Sequence, residues 1–466
     1  MNDITKTLQD YYRNPSVRSR IMEFLGGDSP DTTTCEYITA DGMCHPRRQP
    51  VSVRELSSKL DDGLDICRSL WDRESLIAHL DVEYVNFDFA AEAYLDPTRI
   101  FELQEPVARA IESLLRHFGI HPLHVLSGRG HHYIWSVPRN SEAFAQLVCL
   151  SGEKSPIGAT PGRPDAKTVP AALSKAFFGL GLVMEFLAQE IKKLASPECL
   201  IPIELTAVEV GPSVRGREMI SLDISEYGDP LSTRTTRVPF SGYLKPWQQI
   251  HAMGTENIHR FGALVFVPLC GMTAREGMLV MRDTGCATDL AERVCTGIPN
   301  QTTGTLNLVG AYSGSPLKTF HDWFYSEDQD PVESWPATYD RTPLDSLPAH
   351  AREALIRPND LLLRPYYMRL LTRLLMALDW HPRHIAGLIR SKFERDYGWG
   401  DQWVNYSPAM RSEFYTRIFS SQLATGHLPA PRISSPPQSS REIGRSEILA
   451  TLSPEGFDRD VQGVAA

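Results

Sequence analysis

The chain has 466 residues, of which 42% are hydrophobic and 22% charged, and a formal net charge of −10. That length buries a large core and predicts two or three domains, and the composition excludes collagen-like, low-complexity and disulfide-scaffold classes. The acidic balance works against a nucleic-acid partner unless basic groups gather in local patches.

Residues 1–25 are polar and lack the apolar stretch of a secretory signal. No uninterrupted apolar run reaches the roughly 20 residues that cross a bilayer, so a cytoplasmic protein without membrane contact is expected. The eight cysteines are scattered and are expected to stay reduced. Residues 1–70 predict an N-terminal helical extension, with helical stretches around Ile21 to Leu25 and from Ser52 to Leu70. Between them Cys35, Cys44 and His45 come close in sequence. This group lacks the paired short spacing of zinc sites and an evident fourth ligand, so zinc is not expected.

From 71 to about 255, strand-like runs alternate with helices, which predicts an α/β or α+β domain. In "HLDVEYVNF" the side chains His79, Asp81 and Glu83 share one face of a strand, and Leu80, Val82 and Tyr84 take the other. Two carboxylates at i and i+2, about 7 Å apart, suit one or two divalent cations; a strand with its polar side in water has the same pattern. "PVARAIESLLRHFGI" follows with helical spacing and a C-terminal Gly119. The strand "HPLHVL" then leads into "SGRGHHYIW". There Gly128 and Gly130 free the backbone to present N–H groups to an anion, beside Ser127 and Arg129; a tight hairpin needs similar glycines. In "REMISLDIS" Asp223 lies on the polar face of a third strand. "STRTTRVPFSGYLKP" then supplies Arg234, Arg237, Ser241 and Lys245, a local basic cluster or a solvated strand face.

Residues 256–345 form a mixed connecting region. A helical C-terminal domain is expected over 346–425, and a disordered Pro/Ser-rich tail over 426–466. In "HPRHIAGLIRSKFERDYGWGDQW" Arg383, Arg390 and Lys392 interleave with Trp399. That pattern suits single-stranded nucleic acid by charge and stacking, and equally a charged outer helix face over buried tryptophans.

Acidic pair, small-residue turn leading to His, and later Asp occur in the order found in the archaeo-eukaryotic primase superfamily, which residues 71–250 resemble. The matching stretches are "LDVEY", "SGRGHH" and "SLDIS", and "RVPFSGYLKP" resembles the basic segment that follows in many members. Glu83 stands where many members carry Asp, and His131 is an extra histidine whose face alternation does not decide; spacing from Gly130 favours His132. The resemblance implies an α+β fold: an RRM-like catalytic core with a mixed or antiparallel sheet, plus a helical C-terminal domain. It implies a primase or primase-polymerase acting on single-stranded DNA with nucleoside triphosphates. Asp81, Glu83 and Asp223 would hold two Mg²⁺ or Mn²⁺ ions. Ser127, Arg129, Gly130 and His132 would hold the triphosphate, with Arg237, Ser241 and Lys245 neutralising phosphate. No P-loop of the form GxxxxGK[ST] occurs, so strand opening would fall to a separate helicase. Two other classes stay open: a nucleotide- or nucleic-acid-binding accessory protein, and a metal-dependent phosphodiesterase.

Overall fold

Ten strands form two sheets in the computed structural model, which describes residues 2–42, 49–152, 168–248, 262–345, 347–394 and 407–426. In chain order they are β1 (Ile38–Asp41), β2 (Pro50–Val51), β3 (Asp65–Ser69), β4 (Ser75–Asn86), β5 (Leu123–Ser127), β6 (Gly130–Pro138), β7 (Ile203–Leu205), β8 (Glu218–Asp223), β9 (Thr235–Arg237) and β10 (Val267–Pro268). The larger sheet has the order β10-β5-β6-β4-β8-β7 and is antiparallel except for the β7–β8 pair. The smaller, β2-β1-β3-β9, is antiparallel throughout. Mixed α+β architecture is therefore as expected.

Side-chain alternation along β4 divides the large sheet into two unlike faces. Leu80, Val82 and Tyr84 are buried on the apolar face, which receives two long helices. The first, Pro97–Phe118, starts where the Asp96 carboxylate caps the chain and Pro97 fits the first turn; it ends at Gly119, whose φ of 75° lies in the left-handed region. It buries Ile100, Val107, Ile111 and Leu115. The second, Ala171–Ala195, is a 25-residue helix with a mean hydropathy of 1.5 over its most apolar window. By length and composition it could cross a membrane, although Lys175 and Glu185 interrupt its apolar run; 72% of that window is buried inside the protein. Gly179 lets this helix approach Glu142–Ser151, because a Cβ there would stand 2.0 Å from the Leu147 carbonyl oxygen.

Residues 1–70 contain helices Asn2–Tyr11, Pro15–Phe24 and Leu56–Asp61, the last two overlapping the expected helical stretches, but they also contribute all of β1, β2 and β3, which the sequence did not lead one to expect. Tyr12 fixes them to the rest: its hydroxyl donates to the Leu64 carbonyl at 2.9 Å and accepts from the Gly242 N–H at 2.7 Å. A single apolar core then runs from Leu8 to Phe419, so the described parts share one interior rather than dividing into separate cores. The region 256–345 places β10 against β5 and is otherwise mostly helical, including Thr302–Ser313 and Pro316–Phe324. Helices Ala349–Ile356, Pro365–Met376, Pro382–Phe393 and Pro408–Ala424 make the C-terminal part helical, as expected. Residues 427–466 of the expected tail, with Cys44, His45 and Trp399, lie outside the described residues.

Candidate functional site

Strand register brings the three sequence motifs into one row. Asp81 on β4 is the direct partner of His132 on β6 and of Asp223 on β8. Glu83, two residues on, stands opposite Gly130 and Ser221. Cross-strand partners point to the same side of a sheet, so Asp81, His132, Asp223 and Glu83 share one face, opposite that of Leu80, Val82 and Tyr84. His131 points the other way: its ring meets Phe101 of the helix Pro97–Phe118 edge-on at 5.4 Å. His132 is thus the histidine of the site.

A cavity of about 510 Å³ opens over this face, walled on its far side by residues from Arg234 to Lys245 and by Phe266. Pockets of several hundred Å³ accept ligands of nucleotide size. The acidic half is strained electrostatically. Burial, then the charges of Glu83 and Asp223, push the Asp81 carboxyl well above the usual carboxylate range. Asp81 Oδ1 is buried without a hydrogen-bond partner, and His132 Nε2, 3.6 Å away, is too far to serve as one. Asp223 uses one oxygen to accept from the Ser225 N–H at 2.9 Å, which fixes the turn after β8.

The basic half is equally crowded. Arg129 is ion-paired to Glu83; burial would raise the Glu83 carboxyl, but Arg129 and Lys245 outweigh it and hold it below its ordinary value. Lys245 is pushed down to about 8 by Arg129, with burial adding to the effect. Arg237 is paired with Asp65 of β3 and lies over the Tyr243 ring at 5.1 Å. Ser127 is 4% exposed and lines the cavity, and its hydroxyl has no hydrogen-bond partner among the described residues. A hydroxyl left unsatisfied in such a position is a ligand contact in waiting.

Gly128 and Gly130 serve a purpose other than the one expected. Neither adopts a left-handed conformation. A Cβ at Gly130 would stand 1.8 Å from the Val82 carbonyl oxygen, and one at Gly128 2.3 Å from the Tyr243 ring. Their role is close approach of the turn to β4 and to the cavity wall.

Two histidines the motifs did not combine are joined here. His79 Nδ1 lies 2.7 Å from Glu226 Oε2, and His79 Nε2 lies 2.7 Å from His132 Nδ1. Alternation placed His79 on the site face, but Glu226, in the single turn Ser225–Gly228, carried no sequence signal. Burial, with His79 and Arg237 nearby, holds the His132 imidazole well below its ordinary pKa.

Several expected site residues are elsewhere. Ser241 is fully buried and accepts from the Ile66 N–H at 2.7 Å, tying the segment after β9 to β3; it does not line the cavity. Arg383 is half-buried and paired with Glu413 at 2.5 Å, with its guanidinium over Phe324 and Tyr325. Arg390 pairs with Glu394 at 2.8 Å and lies over Trp335, and Lys392 pairs with Asp340 at 3.3 Å. Arg383 thus joins two C-terminal helices, while Arg390 and Lys392 pack their helix on Trp335 and Asp340 of the preceding region, so all three are engaged within the fold rather than forming an open basic face. Cys35 is buried and donates to the Tyr37 carbonyl at 3.0 Å.

Among the described residues no three His, Cys, Asp or Glu side chains stand together as a ready metal cluster. Glu83 is drawn aside to Arg129, which leaves Asp81 and Asp223 as the facing pair. Oxygen donors, an orphaned Asp81 oxygen and mutual carboxylate repulsion fit an Mg²⁺ or Mn²⁺ ion once Glu83 is released. No family model, curated protein or solved structure matches the chain.

Proposed function

We propose that this protein is a template-directed nucleotidyltransferase of the primase or primase-polymerase type, working on single-stranded DNA, and that its large sheet is a primase-like catalytic core. The observation that carries the reading is convergence: motifs spread along the chain from Asp81 to Lys245 line one cavity, which brings carboxylates and phosphate donors together. Asp81, Glu83 and Asp223 would hold Mg²⁺ or Mn²⁺, which when bound supplies Lewis acidity at the transferred phosphorus and makes a primer 3′ oxygen nucleophilic. Ser127, Arg129, Arg237 and Lys245 bind the triphosphate oxygens and orient the leaving pyrophosphate. Tyr243 and Phe266 give the same cavity an apolar wall.

A second reading has one observation in its favour. His79 lies beside His132 with ring centroids 4.8 Å apart and the planes tilted by 42°, and two histidines beside carboxylates also suit a metal-dependent phosphodiesterase, which activates water instead of a 3′ oxygen. The test incubates the full chain with single-stranded DNA, labelled nucleotides and Mg²⁺ or Mn²⁺, with and without a primer, beside Asp81→Ala and Asp223→Ala. Products that lengthen with time and vanish in both variants are expected. Shortening of the DNA instead, abolished by the same variants, would replace polymerisation with hydrolysis.

A further inference from the structure

The chain Glu226–His79–His132 ends at Asp81, and each link constrains the next. An ionised carboxylate only accepts, so the 2.7 Å contact to Glu226 places the His79 proton on Nδ1. In the neutral form of His79, Nε2 then holds a lone pair, which accepts at 2.7 Å from His132 Nδ1–H. The Thr236 hydroxyl, 3.3 Å from the same nitrogen, is free to donate to that lone pair as well. His132 is left with its lone pair on Nε2, the atom that faces Asp81 Oδ1 at 3.6 Å. When Asp81 is ionised, two acceptors face each other there, and among the described residues no hydrogen-bond donor reaches Asp81 Oδ1; a proton or a cation between the two atoms relieves the contact. Phosphate oxygens would be a third such group and would be repelled.

We propose that Glu226 and His79 are positioning residues that turn the unprotonated Nε2 of His132 toward Asp81, and that His132 is a ligand of the cation held by Asp81 rather than a donor to phosphate. The inference rests on the reading of Asp81 as a cation ligand. Cis ligands about 2.1 Å from an octahedral ion stand about 3 Å apart, close to the separation of these two atoms. The Glu226 contact is the second-shell carboxylate that commonly orients a metal-bound imidazole, here transmitted through a second ring. A nitrogen ligand among oxygens also favours Mn²⁺ over Mg²⁺.

Mn²⁺ alone, added to the full chain, tests this. Its affinity is measured by electron paramagnetic resonance titration, and nitrogen at the ion by electron spin echo modulation. Wild type is expected to show ¹⁴N coupling, and His132→Ala to lose it. Glu226→Gln should weaken Mn²⁺ binding about tenfold, since an amide can donate and so permits the opposite proton order; Glu226→Asp should recover most of the loss. Mn²⁺ bound to wild type with an affinity that depends on Asp81 but without ¹⁴N coupling would overturn the inference and leave the proposed function standing. Binding indifferent to Asp81→Ala would sink both. The wild-type spectrum alone decides if a Glu226 variant fails to fold.

Discussion

Arg129 and Glu83 neutralise each other across the cavity, so neither is free for the role its motif implies. If Glu83 moves to a cation, Arg129 becomes available to phosphate, and the two ligands help each other to bind. Arg129→Ala should therefore strengthen Mn²⁺ binding in the absence of nucleotide and weaken nucleotide binding by about ten- to a hundredfold, the scale of a charged hydrogen bond. Calorimetric titration of each ligand alone and together measures both effects; equal losses for the two would disprove the exchange. Lys245 supplies a pH dependence at the same place. Its ammonium is pushed down to about 8, and only the protonated form attracts phosphate. Nucleotide affinity of the cation-free protein should fall as pH rises through about 8, and Lys245→Arg, whose guanidinium stays charged, should flatten that profile. An unchanged profile in the variant would remove Lys245 from the site.

Two helices, Ala171–Ala195 and Pro408–Ala424, are held together by a buried polar network. Glu185 of the helix Ala171–Ala195 accepts from Arg417 Nε at 2.9 Å and from the Ser421 hydroxyl at 2.5 Å, both on the helix Pro408–Ala424. Burial alone would raise the Glu185 carboxyl, but His321 and Arg417 outweigh it and hold it at about 2. Because the folded value lies below the unfolded one of about 4.3, this carboxylate stabilises the fold above that pH, and its contribution is lost as pH falls toward 2. Glu185→Gln leaves Arg417 buried without a counter-charge and should cost about 3–5 kcal/mol, read as a shift in urea midpoint at pH 7. The difference between variant and wild type should shrink below about pH 4; a constant difference would contradict the assignment. Sequence periodicity showed the elements that local pattern dictates. Residues of β4 alternate because one face is buried, and Gly119 marks its helix end. By contrast, β9 has three residues and is stabilised by β3, more than 160 residues earlier, so no local pattern exposes it. Shorter separations were enough to hide the partners of Arg383 and Lys392, whose charges resemble a solvated face until Glu413 and Asp340 are seen beside them.

For the whole molecule, one interior joins the N-terminal helices, both sheets and the C-terminal helices. The candidate site was legible in its first layer: Asp81, Glu83 and Asp223, and Ser127, Arg129 and His132, all line the cavity. Its second layer was not, because Glu226 reaches His79 across 147 residues and Asp65 reaches Arg237 across 172. Nucleotide transfer and phosphodiester hydrolysis would use this layer differently, and they leave different small products. The most direct measurement is pyrophosphate released per nucleotide incorporated, with single-stranded DNA and Mn²⁺ present. One pyrophosphate for each nucleotide added, dependent on template and lost in Asp81→Ala, is the result predicted. Consumption of DNA or nucleotide without pyrophosphate, at a rate that still depends on Asp81, would contradict nucleotidyl transfer.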